Sequence, residues 1–380
     1  MLEIRRMTEA ALIDSGGDRP KAIQAIIEKI TPDVEDMKLV PNDFSIKEMF
    51  DAIVDPTGEV AATNSDVRIA EAIDSTAFPY FTQLIMAPTI KKQFDFAFGD
   101  VGLLTTELTT KKKKTNIPGY GNFYGPELVG QGQEFPHDEG EENNITVTVH
   151  KHGHIIDFTK EMILEDESGI VQDRANKAGI YMGRLVHNVC MNKIQNVTTA
   201  TINGESTNTA FIYNGTGFAH VSNDHSSVDG QTNDNLSTTA FGQAGLEALE
   251  LLLALMLDDR GGKAPVMPTV LLVPSALKRA AQKLINSELT YGDANTSINP
   301  YKGEFKIVAS PYLDANSSTL YYLGDFAAAT YLMWRQKPTV EKQGSNSESA
   351  FKRDVVMAFK YSTDFNVGLG DYRHFGRGGT

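Results

Sequence analysis

The pattern of apolar and polar positions changes several times along the chain, and it begins with short helical segments. In KAIQAIIEKI (21–30) the isoleucines recur at i, i+3, i+4 and i+7, and SIKEMFDAIV (45–54) predicts a second short helix. Pro32 and Pro56 follow these segments and end them. We therefore expect residues 1–95 to form an arm of short helices that packs on other parts of the chain or on a neighbour.

The pattern then becomes strand-like. LLTTELTT (103–110) is rich in threonine, and ITVTVHKHGHIIDFT (145–159) alternates well. One face of the second segment carries Ile145, Val147, Val149 and Ile155, and the other carries Thr146, Thr148, His150, His152 and His154. The Gly- and Pro-rich connection is far longer than an ordinary hairpin loop, so we expect residues 99–158 to be an extended hairpin with a functional connection.

Residues 160–198 have helical periodicity, with a single apolar stripe formed by Met182, Leu185, Val186, Val189 and Cys190. Residues 199–238 are rich in Asn, Thr, Ser and Gly, which predicts loops with a few short strands. Ser237 and Thr238 are the expected caps of a leucine-rich helix that Gly261 and Gly262 close, and this helix should be buried on most sides.

From residue 264 the pattern alternates between strand and helix. PTVLLVP (268–274) predicts a short buried strand, and Ser275 is expected to cap the helix ALKRAAQKLINSE (276–288). Further strand patterns follow in FKIVASPYL, TLYYLGDF, ATYLMWRQKPTVEKQ and DVVMAFKYSTDFNVGLGDYRHF.

Composition narrows the class of protein. A chain of 380 residues exceeds one ordinary hydrophobic core, so more than one domain is expected. The formal net charge of −14 argues against a dedicated nucleic-acid reader and against an anionic membrane as partner. The single cysteine allows no intrachain disulfide, as is usual in a reducing cytoplasm. The first residues lack the apolar core of a signal peptide, and the run Leu249–Leu257 is too short to span a bilayer.

The histidine run is the strongest candidate for chemistry. His150, His152 and His154 share a strand face at a spacing of about 6–7 Å, and alternate histidines can ligate zinc. An α+β enzyme with a metal site on this strand is therefore the alternative function. The competing interpretation is that the histidines continue the polar face that Thr146 and Thr148 begin, because no second ligand cluster completes a site.

Two charged segments flank the long connection. One comprises Lys111, Lys112, Lys113 and Lys114, and the other contains Glu134, Asp138, Glu139, Glu141 and Glu142. Their opposite charges could pair across the hairpin or with a neighbouring subunit, and we predict an inter-subunit contact. Simple solvation and contact with DNA remain the alternatives.

We predict no catalytic, cofactor-binding or metal-ligating residue. Cys190 lies on an apolar helical stripe beside His187, where a small buried hydrophobe is expected rather than a nucleophile. The glycine-rich segment 119–132 lacks a phosphate-binding pattern.

Three stretches resemble the Hong Kong 97-type capsid proteins of tailed bacteriophages, and within them the Mu-like major head subunits. ITVTVHKHGHIIDFTKEMILEDESG is similar to the strand that returns from the E-loop and leads into the spine helix. TVLLVPSALKRAAQKLINSE, with the NPYKGEFKIVASPYL and YYLGDF that follow, resembles the A-domain core. FKRDVVMAFKYSTDFNVGLGDYRHF resembles the closing P-domain strands.

The resemblance covers about residues 100–380 and implies an α+β fold, with an α/β A-domain, and a domain organisation. It implies an N-terminal arm and start of the P-domain (1–95), an E-loop hairpin (99–158), a spine helix (160–198), an A-domain (199–330) and closing P-domain strands (331–380). Some members of the fold crosslink a lysine to an asparagine. Lys111–Lys114 and Asn346 or Asn366 lie in the corresponding regions, but no motif aligns them, so the sequence does not predict the crosslink.

The implied function is that of a non-enzymatic major capsid protein of the virion. It would assemble in the host cytoplasm as pentamers and hexamers, with scaffold, portal and decoration proteins as partners. The shell would enclose double-stranded DNA without sequence-specific binding and without contact to a membrane. A different phage structural protein, such as a tail or decoration protein, is a further alternative.

Overall fold

The computed structural model describes residues 77–118, 128–135, 144–159, 170–195, 201–202, 205–206, 211–213, 216–218, 225–226, 232–258, 261–288, 298–315, 317–343 and 355–379. The short helices predicted at 21–30 and 45–54 lie outside these residues. In the described part of the chain the α-helices are α1 (Ala77–Phe98), α2 (Val101–Leu104), α3 (Ile170–Ile194), α4 (Gln243–Ala254), α5 (Lys278–Asn286), α6 (Pro311–Asp314) and α7 (Phe326–Ala329).

The strands of the N-terminal half are β1 (Thr106–Thr109), β2 (Lys114–Pro118), β3 (Asn144–Thr148), β4 (His150–Thr159), β5 (Thr201–Ile202), β6 (Glu205–Ser206), β7 (Phe211–Tyr213), β8 (Thr216–Phe218), β9 (His225–Ser226), β10 (Thr232–Asn233) and β11 (Leu236–Ser237). Those of the C-terminal half are β12 (Val270–Pro274), β13 (Lys306–Ser310), β14 (Tyr321–Gly324), β15 (Thr330–Gln343), β16 (Val355–Leu369) and β17 (Phe375–Gly378). Ser275–Leu277 and Tyr372–His374 form single 3₁₀ turns.

The chain divides into two compact units. The first contains residues 1–98, 151–185 and 336–364, and the second contains residues 99–150, 186–335 and 365–380. Mixed helices and sheets confirm the predicted α+β class. None of the helices in the described residues has the length and apolar character needed to cross a membrane.

In the first unit, α1 packs closely on α3. The backbone of Gly179 and Gly183 approaches Ile90, Phe94 and Ala97 so closely that a β-carbon at either glycine would clash. The sequence predicted only short helices in this region, whereas α1 has 22 residues and continues through Pro88. An internal proline costs a helix about 3 kcal/mol, and the buried packing of Ile90 and Phe94 against α3 offsets that cost.

Aromatic pairs order the strands of the first unit. Strand β4 lies next to β16. The ring of Phe158 meets Phe359 edge-on at 5.7 Å between centroids, and His154 lies 6.2 Å from Tyr361. The hydroxyl of Thr363 donates to the backbone carbonyl of Gln336, which ties the two long C-terminal strands together.

The second unit is built on a five-stranded mixed sheet. Its strand order is β11-β17-β14-β12-β13, with β12 parallel to β13 and antiparallel to β14. All five residues of β12 are buried, as the unbroken apolar run VLLVP predicts. Helices α4 and α5 share one core with this sheet, formed by Leu246, Leu249, Leu253, Met256, Leu271, Val273, Ala281, Ile285, Tyr301, Phe305, Tyr321 and Leu323.

Several predicted helix features are confirmed, and the predicted caps are wrong. Helix α3 falls within the predicted 160–198, and Met182, Val186, Val189 and Cys190 of its stripe are buried. Ser237 belongs to β11, so α4 begins only at Gln243, after Gly242. Ser275 opens a 3₁₀ turn that precedes α5 and does not cap that helix.

The prediction for the exposure of the leucine-rich helix is also wrong. Leu246, Leu249 and Leu253 of α4 are buried, but Leu251 and Leu255 are 60% and 58% exposed. A helix that lies on one face of a sheet has a side that this sheet cannot cover, and the count of leucines does not show which side that is.

Candidate inter-subunit surface

The hairpin between residues 99 and 158 is shorter than the sequence predicted and has a different outgoing strand. Strands β2 and β3 pair antiparallel, from Lys114 opposite Thr148 to Pro118 opposite Asn144. The segment LLTTELTT, the predicted outgoing strand, instead forms α2 and then β1, which pairs in parallel with β15. Val101 and Leu104 are buried on one side of α2, so the residues before β1 follow a helical rather than an alternating pattern.

The base of the hairpin is fixed by a small apolar cluster. Ile117, Val147 and Val149 are buried against Met333, with Tyr331 packed beside them. Gly368 lies under Val147 so closely that a β-carbon there would clash with the valine methyl group. The hairpin is therefore seated on β15 and on the end of β16 by side-chain packing.

Hydrogen bonds close the same base. The backbone N–H of Val149 donates to the carbonyl of Lys113 at 2.8 Å. The side-chain amide of Asn366 donates to the carbonyl of Thr148 at 2.6 Å, and its oxygen accepts from the backbone N–H of Val367. Since Asn366 is 8% exposed and uses both polar atoms, it acts as a structural clasp for the hairpin.

The lysine segment lies immediately before β2. Lys111–Lys114 are exposed, and in the described part of the chain none of the four side chains forms an ion pair. Glu134 is also exposed, whereas Asp138, Glu139, Glu141 and Glu142 lie outside the described residues. The predicted pairing of these charges with one another or with a neighbouring subunit stays a prediction.

Two apolar residues of the connection were missed in the sequence. Leu128 is fully exposed and Phe135 is 77% exposed, both within the described stretch 128–135. Large apolar side chains in a Gly- and Pro-rich loop are the signal that could have pointed to them. Large apolar side chains that are exposed close together in the sequence are typical of a surface that a partner covers.

In the histidine strand, the buried side chains do not stay on the face that the sequence predicted. Val147 and Val149 are buried as predicted, but Ile155, expected on the same face, is 56% exposed. The regular strand is interrupted at Val149, so the alternation restarts in β4, where Phe158 is the buried residue. His150, His152 and His154 therefore lie on the face of β4 that carries Phe158.

No metal centre is formed by the residues that the structure describes. No group of three or more His, Cys, Asp or Glu side chains comes close enough to hold an ion, and this holds for the histidines of β4. His154 contacts the ring of Tyr361.

Cys190 and His187 have separate environments in the second unit. Cys190 has no exposed surface, and burial raises the pKa of its thiol to about 12, which makes it inert as a nucleophile. His187 lies 3.0 Å from the hydroxyl of Ser310 through Nε2 and packs on the ring of Tyr312. Burial, only partly opposed by the charge of Asp100, lowers the pKa of His187.

The described architecture is the Hong Kong 97-type capsid fold that the sequence predicted. The capsid of a native GTA particle matches with a TM-score of 0.50 at 10% identity, over 74% of this chain and 89% of that chain. A structure from Mycobacterium phage Adephagia matches at 14% identity and a TM-score of 0.46, over 77% of this chain and 89% of its own. The mature capsid of bacteriophage PhiM1 gives 10% identity and a TM-score of 0.42, over 73% and 85% of the two chains.

At these identities the structural likeness shows the fold alone, and the family is shown by the sequence. The family model described as phage capsid protein matches residues 142–377. This chain belongs to the phage capsid protein family, and it is a major capsid structural subunit. No curated protein matches the chain in sequence.

Proposed function

We propose that the chain assembles with copies of itself, as pentamers and hexamers, into the icosahedral head that encloses the phage genome. The observation that supports this most is the hairpin: its base is held by buried packing, while Leu128 and Phe135 of its connection are exposed to solvent. A neighbouring subunit that covers these side chains would give the long connection its function. Burying one such side chain contributes about 1.5–3 kcal/mol per contact.

The domain organisation follows from the same proposal. Residues 99–158 act as the E-loop, 160–198 as the spine helix, 199–330 as the A-domain and 331–380 as the closing P-domain strands. Residues 1–95 act as the arm and the start of the P-domain.

The charges beside the hairpin provide its polar contacts. Lys111, Lys112, Lys113 and Lys114 are exposed on one side, and the acidic segment begins at Glu134. In this proposal the lysines of one subunit meet the acidic segment of the next, Glu134, Asp138, Glu139, Glu141 and Glu142. Such contacts are weak singly and act together in a closed shell.

The remaining partners are inferred from the class of protein. Scaffold, portal and decoration proteins bind the shell, and assembly takes place in the host cytoplasm before the protein becomes part of the virion. The net charge of −14 suits an inner wall along which packaged double-stranded DNA moves without tight binding. Neither a membrane nor an enzymatic activity is part of this function.

The experiment compares two phenylalanines of nearly equal exposure. Phe135 of the hairpin is 77% exposed and Phe96 of α1 is 81% exposed. Wild-type protein, Phe135→Ser and Phe96→Ser are purified at full length and followed by sedimentation velocity and negative-stain microscopy. We expect capsomers or shells from the wild type and from Phe96→Ser.

Phe135→Ser should need a concentration about tenfold higher to assemble, because each lost contact of about 1.4 kcal/mol or more changes affinity tenfold. A wild-type chain that stays a monomer or dimer at high concentration would refute the proposal. If all three proteins assemble equally well, the hairpin is not part of the contact between subunits.

A further inference from the structure

The second unit presents two oppositely charged helix surfaces on the same face of its sheet. Helix α4 packs on β11, β17 and β14, and α5 packs on β12 and β13. Because the strand order is β11-β17-β14-β12-β13, the two helices cover opposite ends of that order. Their outer sides are therefore separate surfaces of one sheet layer.

The outer side of α4 combines apolar side chains with one carboxylate. Ala244, Glu247, Leu251, Ala254 and Leu255 are exposed at helical spacing, opposite the buried Leu246, Leu249 and Leu253. Leu251 and Leu255 are neighbours at i and i+4, and each exposes more than half of its surface. We call the exposed residues of this stripe, together with Glu250 and Glu304, the α4 surface.

Negative charge is concentrated on the α4 surface. The hydroxyl of Tyr301 donates to a carboxylate oxygen of Glu250 at 3.2 Å. Partial burial and the charge of Glu250 raise the pKa of Glu304, and the carboxylates of Glu247, Glu250 and Glu304 all act on Tyr301. Three carboxylates thus lie near one hydroxyl.

The outer side of α5 has the opposite character. Lys278, Arg279 and Lys283 are exposed, while Ala281 and Ile285 of the same helix lie in the core. The acidic group that follows this helix, Glu288, already binds Lys302 at 2.7 Å. We call the three exposed cations the α5 surface.

We propose that the α4 surface of one subunit docks on the α5 surface of a second copy of this chain. This deepens the proposed function and rests on it, because the contact is one between neighbours in a capsomer. The occupant is a second copy because the same chain carries both complementary surfaces. A contact between two different patches is head-to-tail, and repeated head-to-tail contacts close into rings.

Both the apolar and the charged parts of these side chains have a role in this contact. The aliphatic stems of Lys and Arg can cover Leu251 and Leu255, while their charged ends reach Glu247 and Glu304. Removing the leucines from water contributes to affinity, and the charges fix the orientation and exclude contact between two like surfaces.

The test reverses each surface separately. The α5 variant carries Lys278→Glu and Arg279→Glu, and the α4 variant carries Glu247→Lys and Glu304→Lys. The control, Lys91→Glu with Lys92→Glu, makes the same charge change as the α5 variant on two adjacent exposed lysines of α1. All are full-length, and far-UV circular dichroism and thermal unfolding establish that each retains the wild-type fold.

We expect each variant alone to need a concentration at least about tenfold higher than wild type to form capsomers, because like charges then face each other. The control should assemble like wild type. In a 1:1 mixture every contact between the two variants is again complementary, so assembly should return. Only rings with an even number of subunits can alternate, so the mixture should give hexamers and no pentamers in negative-stain class averages.

The outcomes separate this inference from the proposed function. A wild-type chain that forms no capsomers refutes the proposed function itself. If the wild type assembles, then normal assembly of either variant alone, failure of the mixture, or a control as impaired as the α5 variant overturns the docking. Pentamers that form from the mixture as often as hexamers would also overturn it.

Discussion

Helices α1 and α3 approach each other at two glycines of α3, and an added methyl group there tests how tightly they pack. A β-carbon at Gly183 would lie 2.6 Å from the β-carbon of Ala97 and 2.8 Å from the backbone oxygen of Phe94. Carbon atoms prefer separations of about 3.5–4.0 Å, so Gly183→Ala forces the helices apart by about 1 Å. Neither obstacle is the end of a flexible side chain, so the strain cannot be relieved by a change of rotamer.

Two effects of opposite sign set the size of the change. Alanine is a better helix former than glycine by about 1 kcal/mol. Overpacking of a well-packed interface costs about 1–3 kcal/mol, and backbone obstacles favour the upper end of that range. We therefore expect Gly183→Ala to lower the free energy of unfolding by about 2 kcal/mol.

The measurement is calorimetry on the subunit at a concentration below assembly. For a cooperative unit of 150–250 residues, a loss of about 2 kcal/mol corresponds to a transition temperature about 4–8 °C lower. Gly242→Ala is the control, because nothing lies within 4 Å of a β-carbon at Gly242 and its backbone is extended. A Gly183→Ala protein at least as stable as wild type would show that the higher helix propensity of alanine outweighs any overpacking. It would contradict the close approach of α1 to α3 at Gly183.

Three further substitutions or probes test other parts of the structure. Lys193 is 8% exposed and burial lowers its pKa to about 8, whereas the unfolded chain binds the lysine proton up to a pKa of about 10.5. The stability of the wild type should therefore rise between pH 8 and 10.5 relative to that of Lys193→Met; urea unfolding of both proteins at several pH values measures this, and a constant difference between them would contradict the lowered pKa. Cys190 should react with a thiol reagent only after unfolding, since its pKa is about 12, and rapid labelling of native protein would refute its burial. Asn366→Ala removes the hydrogen bond to Thr148 and should cost about 1–3 kcal/mol; hydrogen exchange should rise in β2 and β3, and unchanged protection there would contradict the clasp.

The elements with strong local patterns were predictable from the sequence. The long stripe from Met182 to Cys190 defined α3, and the unbroken run in β12 marked a buried strand. The two long C-terminal strands β15 and β16 also follow their apolar patterns. In each case the period of burial extends over many residues, so local sequence and tertiary packing agree.

The elements that depend on distant partners were not predictable. β1 pairs in parallel with β15, more than two hundred residues away, and nothing in LLTTELTT indicates that partner. α1 continues through Pro88 because α3 packs against it, and a single-sequence pattern cannot include that contact. The exposure of Ile155 follows from an interruption at Val149 that shifts the phase of the strand by one residue.

The candidate surface was predictable only in its location. The length of the connection indicated a functional hairpin between residues 99 and 158, and the charged segments beside it were evident. Leu128 and Phe135 were not singled out, because their importance depends on exposure and exposure is a property of the folded chain. The leucines of α4 were assigned to the core for the same reason.

The proposed assembly can be seen by electron cryo-microscopy of the full-length protein after it has self-assembled. We expect closed icosahedral shells built from pentamers and hexamers, with density for residues 128–135 of each subunit lying against an adjacent subunit. Particles in which this segment contacts only its own chain, or a protein that forms no closed shell at any concentration, would contradict it.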